Sequence, residues 1–174
     1  MESKSQTCRR LHDEHEAVFE LLRRFGRTLA ESAPGVTPDL STAAWAGLLR
    51  DVRGGLEGEV SRHFAFEERS LFPLLQEAGE GDLCDMFLED HATVRGIATP
   101  LLDLIAGAQA QAPARAAWES LKRLGLALCD ALSEHALKEE QALLPALENI
   151  LSEEQDRELF AAYAGGDAVA HHQP

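Results

Sequence analysis

Apolar residues recur along this chain in alternating steps of three and four, the spacing that lines one face of an α-helix. The first stripe runs Leu11, His15, Val18, Leu22, Phe25 and Leu29, and it stops at Ser32-Ala33-Pro34-Gly35. The stretch 34–41 carries Pro34, Gly35 and Pro38 and reads as a loop, with Ser41 or Thr42 offering the next N-cap. A second stripe follows as Trp45, Leu49, Val52, Leu56, Val60, His63, Glu67, Leu71 and Leu74. Gly54, Gly55 and Gly58 weaken that helix by about 1 kcal/mol each relative to alanine, which predicts a bend or a close helix contact there.

After a break at residues 79–82 a third stripe runs Phe87, His91, Val94, Ala98, Leu101 and Ile105, with Pro100 expected to kink it. The fourth starts around Pro113 and carries Leu121, Gly125, Leu128, Leu132, His135, Glu139, Leu143 and Ala146 inward. Ser152-Glu153-Glu154-Gln155 is a capping box opening a short fifth helix, with Leu159, Phe160 and Tyr163 expected to pack on the bundle. The segment 165–174 reads as a disordered tail whose His171-His172 pair is a solvated end. No alternating β-branched run appears, so the expected fold is all-α. It is an antiparallel up-down four-helix bundle over residues 1–164 with a short C-terminal fifth helix.

Six stripe positions break the apolar rule, and they do so in duplicate. His63-Phe64-Ala65-Phe66-Glu67-Glu68 through Pro73 matches His135-Ala136-Leu137-Lys138-Glu139-Glu140 through Pro145, both reading HxxxEExxLxPxL. Upstream of each stands an acidic-His-x-x-Val segment, at Glu14-His15 and Asp90-His91. The chain is two copies of one helix pair. In each copy the first helix supplies a His, and the second supplies a His and a Glu one turn apart on one face.

Burying Glu67 and Glu139 without partners costs several kcal/mol, and the stripes place no Lys or Arg to neutralise both. A metal would do so. Imidazole nitrogen with carboxylate oxygen and no thiolate suits iron, and a pseudo-twofold site with two bridging carboxylates suits two ions. The expected arrangement gives His15 and His63 to one iron, His91 and His135 to the other, and lets Glu67 and Glu139 bridge them. Glu68 and Glu140 lie about 100° around the helix and read as solvated or supporting carboxylates. His12 could reach the same metal from one turn away, but its counterpart is Leu88, which favours a surface or supporting role.

Sixteen Lys and Arg against thirty Asp and Glu give a net charge of -14, a field that repels nucleic acid and anionic lipid. There is no run of about eighteen apolar residues and no signal-peptide core, so a cytoplasmic protein is expected. Cys8, Cys84 and Cys129 form no CxxC pair and read as reduced. Cys8 is expected to be a surface cysteine or, beside Arg9 and Arg10, a reactive thiol.

The order His, HxxxE, His, HxxxE, with each HxxxE followed by an acidic residue and a Leu-x-Pro stretch, resembles the hemerythrin-like HHE cation-binding family over roughly residues 8–150. The resemblance implies ligation of two non-haem iron ions, oxo- or hydroxo-bridged, by His15, His63, Glu67, His91, His135 and Glu139. It is looser to the oxygen-carrying hemerythrins. Those have a further His four residues after the one on helix three, where this chain has Arg95, and HxxxxD where this chain has HxxxE. Some relatives repair iron-sulfur clusters and others are fused to signalling or ubiquitin-ligase partners, whereas this chain reads as a stand-alone module.

Three functions follow as candidates. A di-iron protein would bind oxygen, nitric oxide or peroxide reversibly, as a sensor or reservoir. A di-iron enzyme would turn over peroxide or nitric oxide in stress defence or iron-centre repair, although the single tyrosine, Tyr163, offers little radical relay. A metal-free acidic helical module would serve only as an interaction partner. Oligomeric state is open.

Overall fold

The computed structural model describes residues 4–170, all of whose regular structure is helical. Helix α1 spans Gln6–Glu31 and starts at the N-cap Ser5, whose hydroxyl accepts a hydrogen bond from the Cys8 amide at 3.0 Å. Helix α2 covers residues 43–77 behind the N-cap Thr42, α3 spans Gly81–Ala110, α4 covers residues 115–150, and α5 spans Glu153–Ala170. Around the bundle α1 neighbours α2 and α4, and α3 neighbours the same two. The antiparallel up-down four-helix bundle with a fifth helix is the architecture that the apolar stripes predict.

Several boundaries differ from expectation. Helix α1 begins ahead of the stripe that starts at Leu11, because its first turn is held from outside by α5. Pro113 lies before α4, whose N-cap is Ala114. Pro100 sits inside α3 without ending it. The backbone of α5 stays helical to Ala170 where a tail was expected from residue 165, while His171 and His172 lie outside the described residues.

The larger difference is in α2 and α4, which are not uniform α-helices. Helix α2 runs through a π-helical turn at Glu59–His63, a short α-turn at Phe64–Phe66 and a second π-turn at Glu67–Leu71 before Phe72–Glu77. Helix α4 has one π-turn, Glu139–Leu143, between Arg115–Lys138 and Leu144–Ile150. The amides of Phe64, Phe72 and Leu144 donate five residues back, to the carbonyls of Glu59, Glu67 and Glu139. Pro73 and Pro145 follow two of these turns, and a proline ring crowds the carbonyl four residues back, which a widened turn accommodates.

Two apolar clusters fill the bundle. One, toward the α1–α2 loop, holds Phe25, Leu29, Leu49, Leu56, Leu101 and Trp118. The other, toward α5, holds Leu11, Leu71, Phe87, Leu143 and Tyr163. On every helix of the bundle the polar stripe residues fall between them. Gly55 and Gly125 permit close helix approach: a Cβ on Gly125 would come within 2.6 Å of Leu29 and 2.9 Å of Phe25.

Helix α5 packs along α1 and clasps its start. Asp156 is 8% exposed. Its Oδ1 accepts from the Ser5 hydroxyl at 2.6 Å and the Thr7 amide at 3.0 Å, and its Oδ2 accepts from the Gln6 amide at 2.8 Å. These amides have no partner within the helix and lie at its positive end, so a carboxylate suits them. The same clasp overturns the expectation for Cys8. It is fully buried, its thiol pushed up to about 11, chiefly by burial, and is neither a surface group nor a reactive one.

Burial alone would raise the Asp156 carboxyl, but the bonds from Ser5, Thr7 and Gln6 outweigh it and hold it below the usual range. A depressed folded-state pKa means the contribution is present above the ordinary value and lost as pH falls through the folded one. Asp156→Ala is therefore expected to lose roughly 2–3 kcal/mol at neutral pH, with the difference from the parent shrinking in acid. Urea melts at pH 7 and pH 3 check this.

Candidate metal centre

The polar layer is built from one His on α1, one His and one Glu on α2, one His on α3, and one His and one Glu on α4. His15, His63, Glu67, His91 and Glu139 are fully buried and His135 is 1% exposed. The structure brings all six together in two overlapping groups. His15, His63, Glu67 and Glu139 form one, and Glu67, His91, His135 and Glu139 form the other, with donor atoms within 4.8 Å of one another in each.

The two glutamates are shared atom by atom. Glu67 turns Oε1 to His63 Nε2 at 3.1 Å and Oε2 to His91 Nε2 at 3.2 Å. Glu139 turns Oε2 to His15 Nε2 at 3.1 Å and Oε1 to His135 Nε2 at 3.1 Å. None of these four carboxylate oxygens has a hydrogen-bond partner of acceptable geometry. The atoms are close without pointing at one another, as donors do when they share a third point. Donors at adjacent corners of a coordination polyhedron with bonds of about 2.1 Å stand about 3 Å apart. Buried polar groups are otherwise almost always bonded, so four orphaned oxygens together are compatible with a cation held between them.

Behind the imidazoles lies a ring of carboxylates that follows the order of the helices. Glu14 on α1 meets His63 Nδ1 on α2 at 2.9 Å. Glu68 on α2 meets His91 Nδ1 on α3 at 2.7 Å. Asp90 on α3 faces His135 Nδ1 on α4 at 3.7 Å. Glu140 on α4 closes the ring on His15 Nδ1 at 2.6 Å. An ionised carboxylate only accepts, so in a neutral ring Nδ1 carries the proton and Nε2 presents its lone pair inward. The Asp90 link is the longer one, as aspartate is one methylene shorter than glutamate.

This ring settles the roles of the residues beside the stripes. Glu68 and Glu140, expected to be solvated or supporting, are the partners of His91 and His15. His12 is half exposed and places Nδ1 2.9 Å from the other oxygen of Glu140, a supporting position away from the inner layer. Of Glu14 and Asp90, noted in the sequence only as acidic neighbours, Glu14 orients His63 on the next helix and Asp90 faces His135 without a hydrogen bond. Glu14 also accepts from Tyr163 at 2.5 Å and pairs with Arg62 at 3.1 Å and Arg10 at 2.8 Å. Burial would raise the Glu14 carboxyl, but the bonds to His63 and Tyr163 and the charges of His63 and Arg62 bring it to about 2.

The surroundings of the two His pairs differ. Phe64 stacks on His91 with ring centroids 3.8 Å apart, Phe72 lies 5.6 Å from it, and Phe87 meets His135 edge-on at 5.9 Å. Beside His63 instead stands Glu59, a buried carboxylate that periodicity reasoning missed because the stripe there was assigned to Leu56 and Val60. Its place one turn before His63 was the available signal.

The buried His and Glu cluster is compatible with a metal-binding site. Among the described residues no helix is long and apolar enough to cross a membrane. No curated protein matches this chain. A family model does: the hemerythrin HHE cation-binding domain matches residues 7–147, a span that contains all six inner residues and the four carboxylates behind them, and the chain belongs to that family.

Proposed function

We propose that the chain is a non-haem di-iron protein that binds oxygen, nitric oxide or peroxide and serves to sense or store it. One iron is assigned to His15 and His63, the other to His91 and His135, with Glu67 and Glu139 spanning both. The observation that carries this reading is the division of each glutamate between two His pairs, one oxygen to each. Two positions sharing two carboxylates suit a pair of ions, and a donor set of nitrogen and oxygen without sulfur suits iron.

The iron pair supplies the affinity for a small ligand. The protein's part is to hold the imidazoles in one tautomer, exclude water and keep the layer dry between two apolar clusters. Phe64, Phe72 and Phe87 beside His91 and His135 carry no exchangeable proton. Reductive turnover of peroxide or nitric oxide consumes protons, so this wall favours binding over turnover.

Purified protein loaded anaerobically with iron is expected to hold close to two ions per chain and to change its visible spectrum with one of the three ligands. Folded protein that takes up no iron would overturn the reading, and steady consumption of the ligand would replace a binder with an enzyme. Glu67→Ala removes one oxygen from each position and is expected to lose both ions, together with the rise in Tm that iron gives the parent. A variant with parental iron content and melting behaviour would leave only the metal-free interaction module.

Protons compete with metal for these nitrogens. Burial would depress the His91 imidazole, but the closeness of the Glu139 and Glu67 carboxylates and its bond to Glu68 raise it to about 9 in the metal-free protein. His15 and His63 move in the same direction. A raised folded-state pKa gives stability that is fully present below the ordinary imidazole value, about 6.5, and is lost as pH rises through the folded value. Metal binding needs the unprotonated nitrogen and strengthens over the same interval. Between pH 6.5 and 9 the Tm of metal-free protein is therefore expected to fall while the Tm gain on adding iron(II) grows. Parallel thermal melts with and without iron read both trends.

A further inference from the structure

The duplicated halves of the site are not equivalent, and the difference is concentrated at Glu59. The offset that carries His63 onto His135 and Glu67 onto Glu139 carries Glu59 onto Ala131. Glu59 is 5% exposed, its Oε1 has no hydrogen-bond partner, and that oxygen lies 3.9 Å from His63 Nε2. The backbone departs from symmetry at the same place. The π-turns Glu67–Leu71 and Glu139–Leu143 match one another, but the π-turn Glu59–His63 has only regular α-helix opposite it, within Arg115–Lys138. No proline follows closely to account for it, and π-turns inside α-helices gather at functional sites. A carboxylate removed from water without a bonded partner destabilises a fold unless a cation meets it.

We propose that Glu59 is a further metal ligand, giving a carboxylate oxygen to the ion held by His15 and His63, so that the two metal positions are inequivalent. The inference rests on the di-iron reading above and sharpens it. The His15–His63 position then has five protein donors, from Glu59, Glu67 and Glu139 with the two imidazoles, and the His91–His135 position has four. Fewer protein donors leave more room for an outside ligand, so the small molecule binds on the His91–His135 side, against Phe64. The longer Asp90–His135 link, 3.7 Å against 2.6–2.9 Å for the other three, makes the same side the less tightly held.

The test uses full-length protein loaded with ⁵⁷Fe(II), as wild type, Glu59→Gln and Glu59→Asp. Mössbauer spectra, iron retained against increasing chelator, and Tm with and without iron are recorded. Wild type is expected to show two iron populations of equal area, one surviving about tenfold more chelator than the other. In Glu59→Gln the resistant population is expected to lose that advantage and change its spectrum while the other keeps its own. Metal-free Glu59→Gln is expected to melt higher than the parent, since a buried carboxylate with an unbonded oxygen is gone, and to gain less from iron. Glu59→Asp, which keeps the charge but not the reach, is expected to show the same loss of iron retention.

Unchanged spectra and retention in both variants would overturn the proposal. So would a metal-free Glu59→Gln that melts lower while its iron is unaffected, because Glu59 would then serve the fold alone. Wild type with two equivalent irons overturns the role of Glu59 and leaves the di-iron reading standing, and that comparison needs no variant to fold. Wild type that binds no iron fails the di-iron reading itself.

Discussion

Two carboxylates with all four oxygens unbonded, buried where four helices meet, are the constraint around which this bundle is arranged. Water is excluded by an apolar cluster on either side along the bundle axis, so the charge cannot be met by solvent. It is met by imidazole nitrogens at 3.1–3.2 Å, close enough for attraction and misaligned for hydrogen bonding. Such an interior is a poor way to stabilise a fold in isolation, since well-packed apolar residues commonly do as well or better. Its value lies in the cation it can receive.

The remainder of the structure keeps that layer rigid and dry. Three of the four imidazoles are pinned at the outer nitrogen by a carboxylate from the preceding helix and the fourth, His135, is faced by one at 3.7 Å, and those carboxylates sit near the surface where solvent and Arg or Lys side chains moderate their charge. Arg95 pairs with Glu68 at 2.7 Å, and Lys138 pairs with Asp90 at 3.0 Å. Helix α5 contributes through Tyr163, which bonds to Glu14 and so reaches His63 at one remove. The fifth helix closes the bundle end, clasps the start of α1 and buttresses the polar layer, three tasks that the four-helix core leaves open.

What could be read from the sequence was what repeats. The four stripes were legible from spacing, and the six inner residues stood out because the same polar substitutions occur in the same register twice. Glu68 and Glu140 were legible as a class because they flank the inner glutamates. Features that occur once, or that join distant parts of the chain, were hidden. Glu59 corresponds to Ala131 in the second copy, so duplication could not flag it. Asp156 acts on Ser5 and Thr7 from the other end of the chain. The π-turns depend on which carbonyl each amide selects, five residues back instead of four, a choice settled by packing and, at two of the three, by the proline beyond. The burial of Cys8 follows from the α5 clasp and was invisible for the same reason.

The ring of carboxylates also bears on how such a site can arise. Two of its links, Glu14 to His63 and Asp90 to His135, lie within a helix pair, and the other two, Glu68 to His91 and Glu140 to His15, cross from one pair to the other. Each pair therefore leaves one of its histidines unsupported and half of each inner carboxylate without a neighbouring imidazole until the second pair arrives. Two identical pairs meeting about a twofold axis would satisfy one another completely, as an isologous interface requires. Joining them in one chain fixes the stoichiometry at one site per molecule and frees the two halves to diverge, which a homodimer bound by its own symmetry could not do.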